Sequence, residues 1–103
     1  MTLDDAQRAV DASITGAGGY WPPLSNLARL VEEVGELSRE LNHRFGHKPK
    51  KVDEPEQDLA LEIGDVLFVL IVLANEQRID LGEALGRVLE KVRVRDADRW
   101  KQV

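Results

Sequence analysis

The sequence predicts an all-α domain of about four helices spanning residues 1–103. Apolar residues recur at intervals of three and four along four segments, and stretches containing glycine or proline separate these segments. The longest apolar segment outlasts a normal strand, which favours a buried helix. Hydrophobic residues make up 43% of the chain and charged residues 32%, as in a folded globular domain.

The first two predicted helices have clear boundary signals. Thr2 can cap the first helix. The apolar positions of this helix are Leu3, Ala6, Val10 and Ile14, and the glycines that end it are Gly16, Gly18 and Gly19. The second helix is expected to begin near Pro23, because proline tolerates the first turn, and to run to about Phe45 before Gly46. Its apolar stripe comprises Leu24, Leu27, Val31, Val34, Leu37 and Leu41.

The third helix is expected from about Glu56 to Gln77, and residues 66–74 within it are apolar on every side. Asp80 and Glu83 resemble a capping box that starts a fourth helix. The inward face expected for that helix comprises Leu81, Ala84, Leu85, Val88, Leu89 and Val92, and charged residues dominate after Val94. Because one short chain offers too few helices to cover the third, a homodimer or homotetramer is expected.

Composition excludes several classes of function. The chain lacks cysteine, which rules out disulfides and thiolate chemistry and fits a cytoplasmic location. Residues 1–10 lack the apolar core of a secretory signal, and the apolar run at 66–74 is too short to span a bilayer, so no membrane association is expected. A net charge of -5 argues against binding a nucleic acid polymer and favours a cation site.

Two pairs of carboxylates are the strongest functional signal. Glu33 and Glu36 stand three residues apart and share one helix face, and Glu62 and Asp65 repeat that spacing. If the second and third helices pack antiparallel, as the polar stretch from Gly46 to Pro55 permits, the four side chains meet across a groove. Four adjacent carboxylates repel one another without a cation, and oxygen ligands suit Mg²⁺, with Mn²⁺ as a substitute.

Other interpretations of these residues stay open. The carboxylates can simply solvate helix faces through intrahelical ion pairs. Gly35 and Gly64 lie inside the two pairs, where glycine indicates close helix approach, room for a ligand or packing alone. Glu40 and His43 have the spacing found in di-iron bundles, but the third helix contains no histidine to complete that ligand set.

The sequence Glu32-Glu33-x-x-Glu36, followed by Glu62-x-x-Asp65, resembles the MazG-type nucleotide pyrophosphohydrolases, relatives of the all-α dimeric dUTPases. The resemblance covers nearly the whole chain and includes residues 20–24, 41–44, 62–68 and 91–100. It implies hydrolysis of a nucleoside triphosphate to the monophosphate and pyrophosphate. It also implies that Glu33, Glu36, Glu62 and Asp65 bind Mg²⁺, with Glu32 and Glu33 in catalytic roles such as water activation or a further ion.

Basic and aromatic residues suggest where a substrate would bind. Lys91, Arg95 and Arg99 form a basic stripe that spacing alone leaves equally open to a solvated face, and the resemblance favours substrate binding by Lys91 and Arg95. Relatives specific for deoxycytidine nucleotides often have asparagine where this chain has Arg95, so the base stays open. Trp21 is a candidate for stacking on the base, and Trp100 is a weaker one.

The resemblance favours an enzyme that removes unwanted nucleotides from the pool, a house-cleaning role. A phosphoribosyl-ATP pyrophosphohydrolase would share the same helical fold and metal chemistry. A noncatalytic helical oligomerisation module is the alternative of a different class. Metal binding distinguishes the noncatalytic module from the two enzymes, because a solvated acidic face would not be stabilised by Mg²⁺.

Overall fold

The computed structural model describes residues 1–46 and 58–101, except for the side chains at 98, 100 and 101. Within these residues the chain forms four helices and no strand: α1 (Leu3–Gly16), α2 (Pro23–Phe45), α3 (Leu59–Glu76) and α4 (Leu81–Lys101). The all-α prediction is confirmed. α3 is central, because α2 packs along it more extensively than any other helix and α1 also packs against it, whereas α4 contacts α1.

The boundaries of α1 follow the expected signals. The Thr2 hydroxyl accepts a hydrogen bond from the Asp5 amide at 3.0 Å, and the Asp5 carboxylate accepts one from the Thr2 amide at 3.1 Å. This reciprocal pair is a capping box. After the helix ends, Gly18 and Gly19 have φ values of 113° and 101°, which residues with a Cβ rarely adopt. These glycines therefore allow the chain to turn towards α2.

The third and fourth helices differ from prediction at their ends. α3 begins at Leu59 rather than near residue 56, because the Asp58 carboxylate accepts hydrogen bonds from the amides of Ala60 and Leu61 and caps the helix. Asp80 caps α4 through the Glu83 amide at 3.0 Å, as expected. α4 then continues through its charged end to Lys101. The loop predicted between α2 and α3, and the Trp100 side chain, lie outside the described residues.

The buried apolar core lies between α1 and α3. Val10 of α1 packs with Ile71 and Val72 of α3, and partly buried side chains surround these three. Those surrounding residues are Ala6, Ile14, Tyr20, Phe68 and Leu81. The predicted apolar positions of α1 thus pack against the second half of α3. No helix among the described residues combines the length and apolar character needed to cross a membrane.

Much of the predicted apolar surface is uncovered in the single chain. In α2 the face against α3 buries Asn26 and Glu40, whereas Leu24 in the apolar stripe is 78% exposed. The expected burial of residues 66–74 on all sides is not met within one chain, since Leu67 is 46% exposed and Leu70 is 41% exposed. The expected inward face of α4 is met only in part within one chain, because Leu81, Ala84 and Val92 are partly buried whereas the other three residues are exposed. The exposed apolar residues on these three helices include Leu27, Val31, Val34, Ile63, Leu67, Leu85, Val88 and Leu89.

A hydrogen-bonded junction, here called the Gln7 clamp, ties α1 to the turn between α3 and α4. The side-chain nitrogen Nε2 of Gln7 donates to the Asn75 side-chain oxygen at 2.9 Å and to the Ile79 carbonyl at 2.8 Å. The side-chain oxygen Oε1 of Gln7 accepts a hydrogen bond from the Leu81 backbone amide at 2.9 Å. Asn75 returns a bond to the Gln7 carbonyl at 2.9 Å. One side chain therefore satisfies backbone groups where α4 begins.

We expect Gln7→Ala to lower the free energy of unfolding by about 2–3 kcal/mol, because it leaves the Ile79 carbonyl and the Leu81 amide without these partners. Urea unfolding at fixed protein concentration measures this change. Gln77→Ala is the matched control, since the Gln77 side chain is exposed and, among the described residues, bonds its neighbour Glu76 alone, so a loss below about 0.5 kcal/mol is expected. Equal losses in the two variants would contradict the role of the clamp.

Candidate metal centre

α2 and α3 bring carboxylates from the two predicted pairs together. Side-chain oxygens of Glu33, Glu62 and Asp65 lie within 4.8 Å of one another. The helices run antiparallel, because Arg29 lies over the Phe68 ring while Glu40, further along α2, acts on Glu62, earlier on α3. The predicted antiparallel arrangement therefore brings together three of the four predicted carboxylates. We call Glu33, Glu62 and Asp65 the carboxylate cluster.

Two oxygens of the carboxylate cluster are enclosed and have no hydrogen-bond partner among the described residues. These atoms are Oε2 of Glu33 and Oε2 of Glu62. Glu62 is 9% exposed, although it lies in the first turn of its helix. A buried carboxylate without a partner is costly, because the interior does not replace its hydration. A bound cation would remove that cost, so these residues fit a metal ion.

Burial and mutual repulsion act in the same direction on the cluster. Burial is the main cause that raises the pKa of Glu33, and the charges of Glu36 and Asp65 raise it further. Burial likewise raises the pKa of Glu62, followed by the charges of Glu36, Asp65 and Glu40. Glu36 therefore lies close enough to act on both buried carboxyls, although it is exposed and its oxygens fall outside the cluster.

The donor set indicates the class of ion. All the candidate ligand atoms are carboxylate oxygens, which suit hard cations such as Mg²⁺ or Mn²⁺. Three carboxylates leave coordination positions for water or for phosphate oxygens. The positive charge of a divalent ion also offsets the repulsion among these carboxylates. This arrangement can therefore perform metal-assisted chemistry on an anionic substrate.

The structure leaves other predicted site residues apart from the cluster. Glu32 is exposed on α2. Lys91 and Arg95 are exposed on α4, and the Arg95 side chain forms an ion pair with Asp96 at 3.6 Å. Among the described residues, the charges that act on Glu33 and Glu62 come from α2 and α3. Within one chain, the predicted basic stripe is therefore not part of the carboxylate site.

Two charged residues lie beside the cluster: Arg29, which sequence reasoning missed, and Glu40, which it considered only for its spacing from His43. Arg29 lies one turn before Glu33, and its charge opposes the increase in the pKa of Glu33. Glu40 is 2% exposed and accepts a hydrogen bond from the Arg44 Nε at 3.0 Å. Both continue the spacing of three or four residues through Glu33 and Glu36, so periodicity could have identified them. Their burial could not be read from spacing alone.

The glycines inside the two carboxylate pairs do not mark a close approach of helices in this chain. A Cβ added at Gly35 or at Gly64 would meet no neighbouring atom within 4 Å. The close-approach interpretation is therefore wrong for the single chain. Space beside each glycine is available to a ligand or to another subunit.

Comparisons with known proteins agree with this fold. The sequence profile of the MazG nucleotide pyrophosphohydrolase domain matches residues 22–100. The uncharacterised protein YpjD of Bacillus subtilis strain 168 is 53% identical over 100 residues, which cover 96% of this chain and 90% of YpjD. The crystal structure of B. subtilis YpjD aligns with a TM-score of 0.80 at 52% identity, covering 88% of this chain and 94% of that one.

A second solved structure, the Bacillus-conserved MazG protein described as a nucleotide pyrophosphohydrolase, aligns with a TM-score of 0.77 at 43% identity. That alignment covers 89% of this chain and 90% of the other. The chain belongs to the MazG nucleotide pyrophosphohydrolase family. Membership of this family supports a hydrolase that acts on pyrophosphate bonds.

We expect Glu62→Gln to raise the melting temperature of the metal-free protein by a few degrees at neutral pH, because it removes a buried negative charge from a repelling group. A raised pKa means that the folded chain holds this proton more tightly than the unfolded chain. Its contribution to stability is therefore lost as pH rises from the ordinary carboxyl range through the raised pKa. The gain from the variant should grow across that window.

Thermal unfolding with chelator at several pH values measures this difference. Glu76→Gln serves as the control on the same helix, outside the carboxylate cluster. A Glu62→Gln variant that melts below the wild type at neutral pH would contradict the interpretation of Glu62 as an uncompensated charge.

Proposed function

We propose that this protein hydrolyses nucleoside triphosphates between the α and β phosphates, giving a nucleoside monophosphate and pyrophosphate, with Mg²⁺ as cofactor. The observation that carries this proposal is the pair of enclosed, unpartnered oxygens of Glu33 and Glu62 within a three-carboxylate cluster. A chain from a pyrophosphohydrolase family that buries such charges needs a cation there. A triphosphate substrate is the anionic ligand that fits a cation held in this way.

Each carboxylate has a distinct part in the proposed reaction. Glu33, Glu62 and Asp65 would hold the ion, and Glu36 at the edge of the cluster would complete the ligand set or meet a further ion. A bound divalent ion offsets phosphate charge and lowers the pKa of a coordinated water. Glu32, adjacent in sequence and exposed, would orient the attacking water together with Glu33. The bond between the bridging oxygen and the attacked phosphorus breaks, and pyrophosphate leaves.

A second copy of this chain is the proposed cover for the exposed apolar surface. The uncovered residues lie on α2, α3 and α4, and an area of this kind is unusual for a monomer. A homodimer or homotetramer would bury it. Because Lys91 and Arg95 lie away from the cluster of their own chain, the partner's α4 is the proposed source of phosphate-binding cations. Trp21, which is 58% exposed, is the proposed stacking surface for the base.

The physiological role proposed for this activity is removal of unwanted nucleotides from the pool, in the cytoplasm. Phosphoribosyl-ATP is the competing substrate, because it presents the same triphosphate to the same ligands. Release of pyrophosphate and monophosphate from a panel of canonical and modified triphosphates, with Mg²⁺, Mn²⁺ or chelator, tests the proposal. Metal-dependent release supports it. Turnover of phosphoribosyl-ATP alone would favour the competing enzyme, and no turnover of any substrate would favour a noncatalytic module.

We expect Glu36→Gln and Asp65→Asn each to lower kcat/KM by at least about 100-fold while circular dichroism retains the helical signal, because both side chains act through charge. Both are exposed, so neither substitution disturbs the buried core. Glu83→Gln, an exposed acid in the first turn of α4, is the control and should retain activity. Full activity in both test variants would exclude these carboxylates from the metal site.

The shared site can be tested by mixing two inactive variants. If Lys91 and Arg95 act across the interface, Asp65→Asn and the double variant Lys91→Ala/Arg95→Ala should complement each other. In a homodimer, an equal mixture after exchange of subunits should regain about a quarter of the wild-type activity, because half of the dimers are mixed and each has one intact site. Light scattering fixes the oligomeric state. No recovery in a mixture that has exchanged subunits would place these cations elsewhere.

A further inference from the structure

An open cleft adjoins the carboxylate cluster at the start of α2. Its walls include Ile14 and Gly19 from the end of α1 and the following turn, Trp21 and Asn26 around the start of α2, and Val72 of α3. Its volume is about 160 Å³. Enclosed small-molecule sites typically measure about 300–1,000 Å³, so a nucleotide held in this cleft would remain partly exposed to solvent. Arg29 also lines the cleft.

Arg29 lies over two aromatic rings at the wall of the cleft, one turn before Glu33. Its guanidinium carbon lies 5.8 Å from the centroid of the Trp21 ring and 5.8 Å from that of the Phe68 ring. Cation–π attraction to two rings restrains the guanidinium plane. Within residues 1–46 and 58–101, its N–H groups form no hydrogen bond or ion pair. A restrained guanidinium therefore presents unused donors to the cleft.

The position of Arg29 relative to the acidic cluster indicates which ligand it suits. It lies one turn before Glu33 on α2, so a ligand that extends from the cleft to the cluster passes it. The cluster itself is acidic and repels phosphate until a cation is bound, whereas the guanidinium attracts phosphate directly. Asn26, which is buried, is held by a bond from its side-chain nitrogen to the Trp21 carbonyl at 3.0 Å, so it fixes the segment that carries Trp21.

We propose that Arg29 binds the phosphate nearest the nucleoside, so that the cleft holds a nucleoside monophosphate unit while the remaining phosphates lie over the carboxylate cluster. This assignment deepens the proposed function and rests on it for the identity of the substrate. Arg29 then distinguishes nucleotides from nucleosides, and it retains the monophosphate product after pyrophosphate leaves. A planar guanidinium suits this role because it can bind two phosphate oxygens at once.

A purely electrostatic role for Arg29 makes a different prediction. If Arg29 only offsets the charge of Glu33, its removal changes metal binding and stability, and the affinity for monophosphates and nucleosides changes equally or not at all. If Arg29 binds phosphate, its removal weakens monophosphate binding selectively. The comparison of monophosphate with nucleoside therefore separates the two roles without any turnover.

The test uses Trp21 fluorescence in the full chain carrying Trp100→Phe, which leaves Trp21 as the sole tryptophan. The ribo- and deoxyribonucleoside monophosphates of the common bases are titrated beside their nucleosides at fixed Mg²⁺ and ionic strength. We expect at least one monophosphate to bind more tightly than its nucleoside. Arg29→Met should weaken the binding of that monophosphate by about tenfold or more and leave the affinity for the nucleoside unchanged. The monophosphate affinity of Arg29→Lys should lie between those of the wild type and Arg29→Met.

Arg8→Met is the matched control, because Arg8 is an exposed arginine whose ion pairs with Asp4 and Asp5 lie on α1, outside the cleft. Stabilisation by Mg²⁺ in Arg29→Met establishes that the carboxylate cluster is intact. Equal monophosphate affinities in Arg29→Met and Arg8→Met would overturn the proposal, as would wild-type protein that does not prefer monophosphates. Selective loss in a protein that turns over no triphosphate would uphold Arg29 and overturn the proposed reaction instead.

Discussion

The constraint on which this structure depends is the burial of acidic side chains between α2 and α3. The face of α2 that packs on α3 contains Asn26, Glu33 and Glu40, whereas most of the apolar stripe of α2 is exposed. Such packing leaves carboxylate oxygens of the cluster unpartnered. The helix pair is therefore arranged for charge concentration at some cost in stability. The compact apolar core lies on the other side of α3, where Val10 packs with Ile71 and Val72.

The separation of the charged α2–α3 face from the apolar core explains which features could be predicted from the sequence and which could not. Helix boundaries followed from local signals such as Thr2 and Asp80, whose caps act within a single turn. The convergence of the Glu33 and Glu62 pairs followed from their spacing on two antiparallel helices. Which face of α2 turns towards α3 could not be predicted, because a periodic apolar stripe indicates burial without naming the partner that buries it. The exposed stripe and the polar packing face result from that ambiguity.

Sequence spacing also left part of the candidate site unassigned. Arg29 has no motif of its own, and its significance comes from two rings, that of Trp21 just before α2 and that of Phe68 on α3. Lys91 and Arg95 are the opposite case, because the family resemblance favoured a binding role that the position of α4 does not provide within one chain. A basic stripe on one helix gives no information about which subunit it faces. Tertiary contacts determine the role of Arg29, and oligomeric assembly determines which subunit Lys91 and Arg95 face.

The Gln7 clamp has a consequence for residues far from it. It fixes the beginning of α4, whereas the 21 residues that follow extend about 30 Å from this support. A helix held at one end acts as a lever, so a tilt of about 5° at the turn moves its far end by roughly 2–3 Å. A shift of that size exceeds the tolerance of a hydrogen bond. A side chain with no chemical role, at the first helix, thus sets the accuracy with which the last helix can meet another molecule.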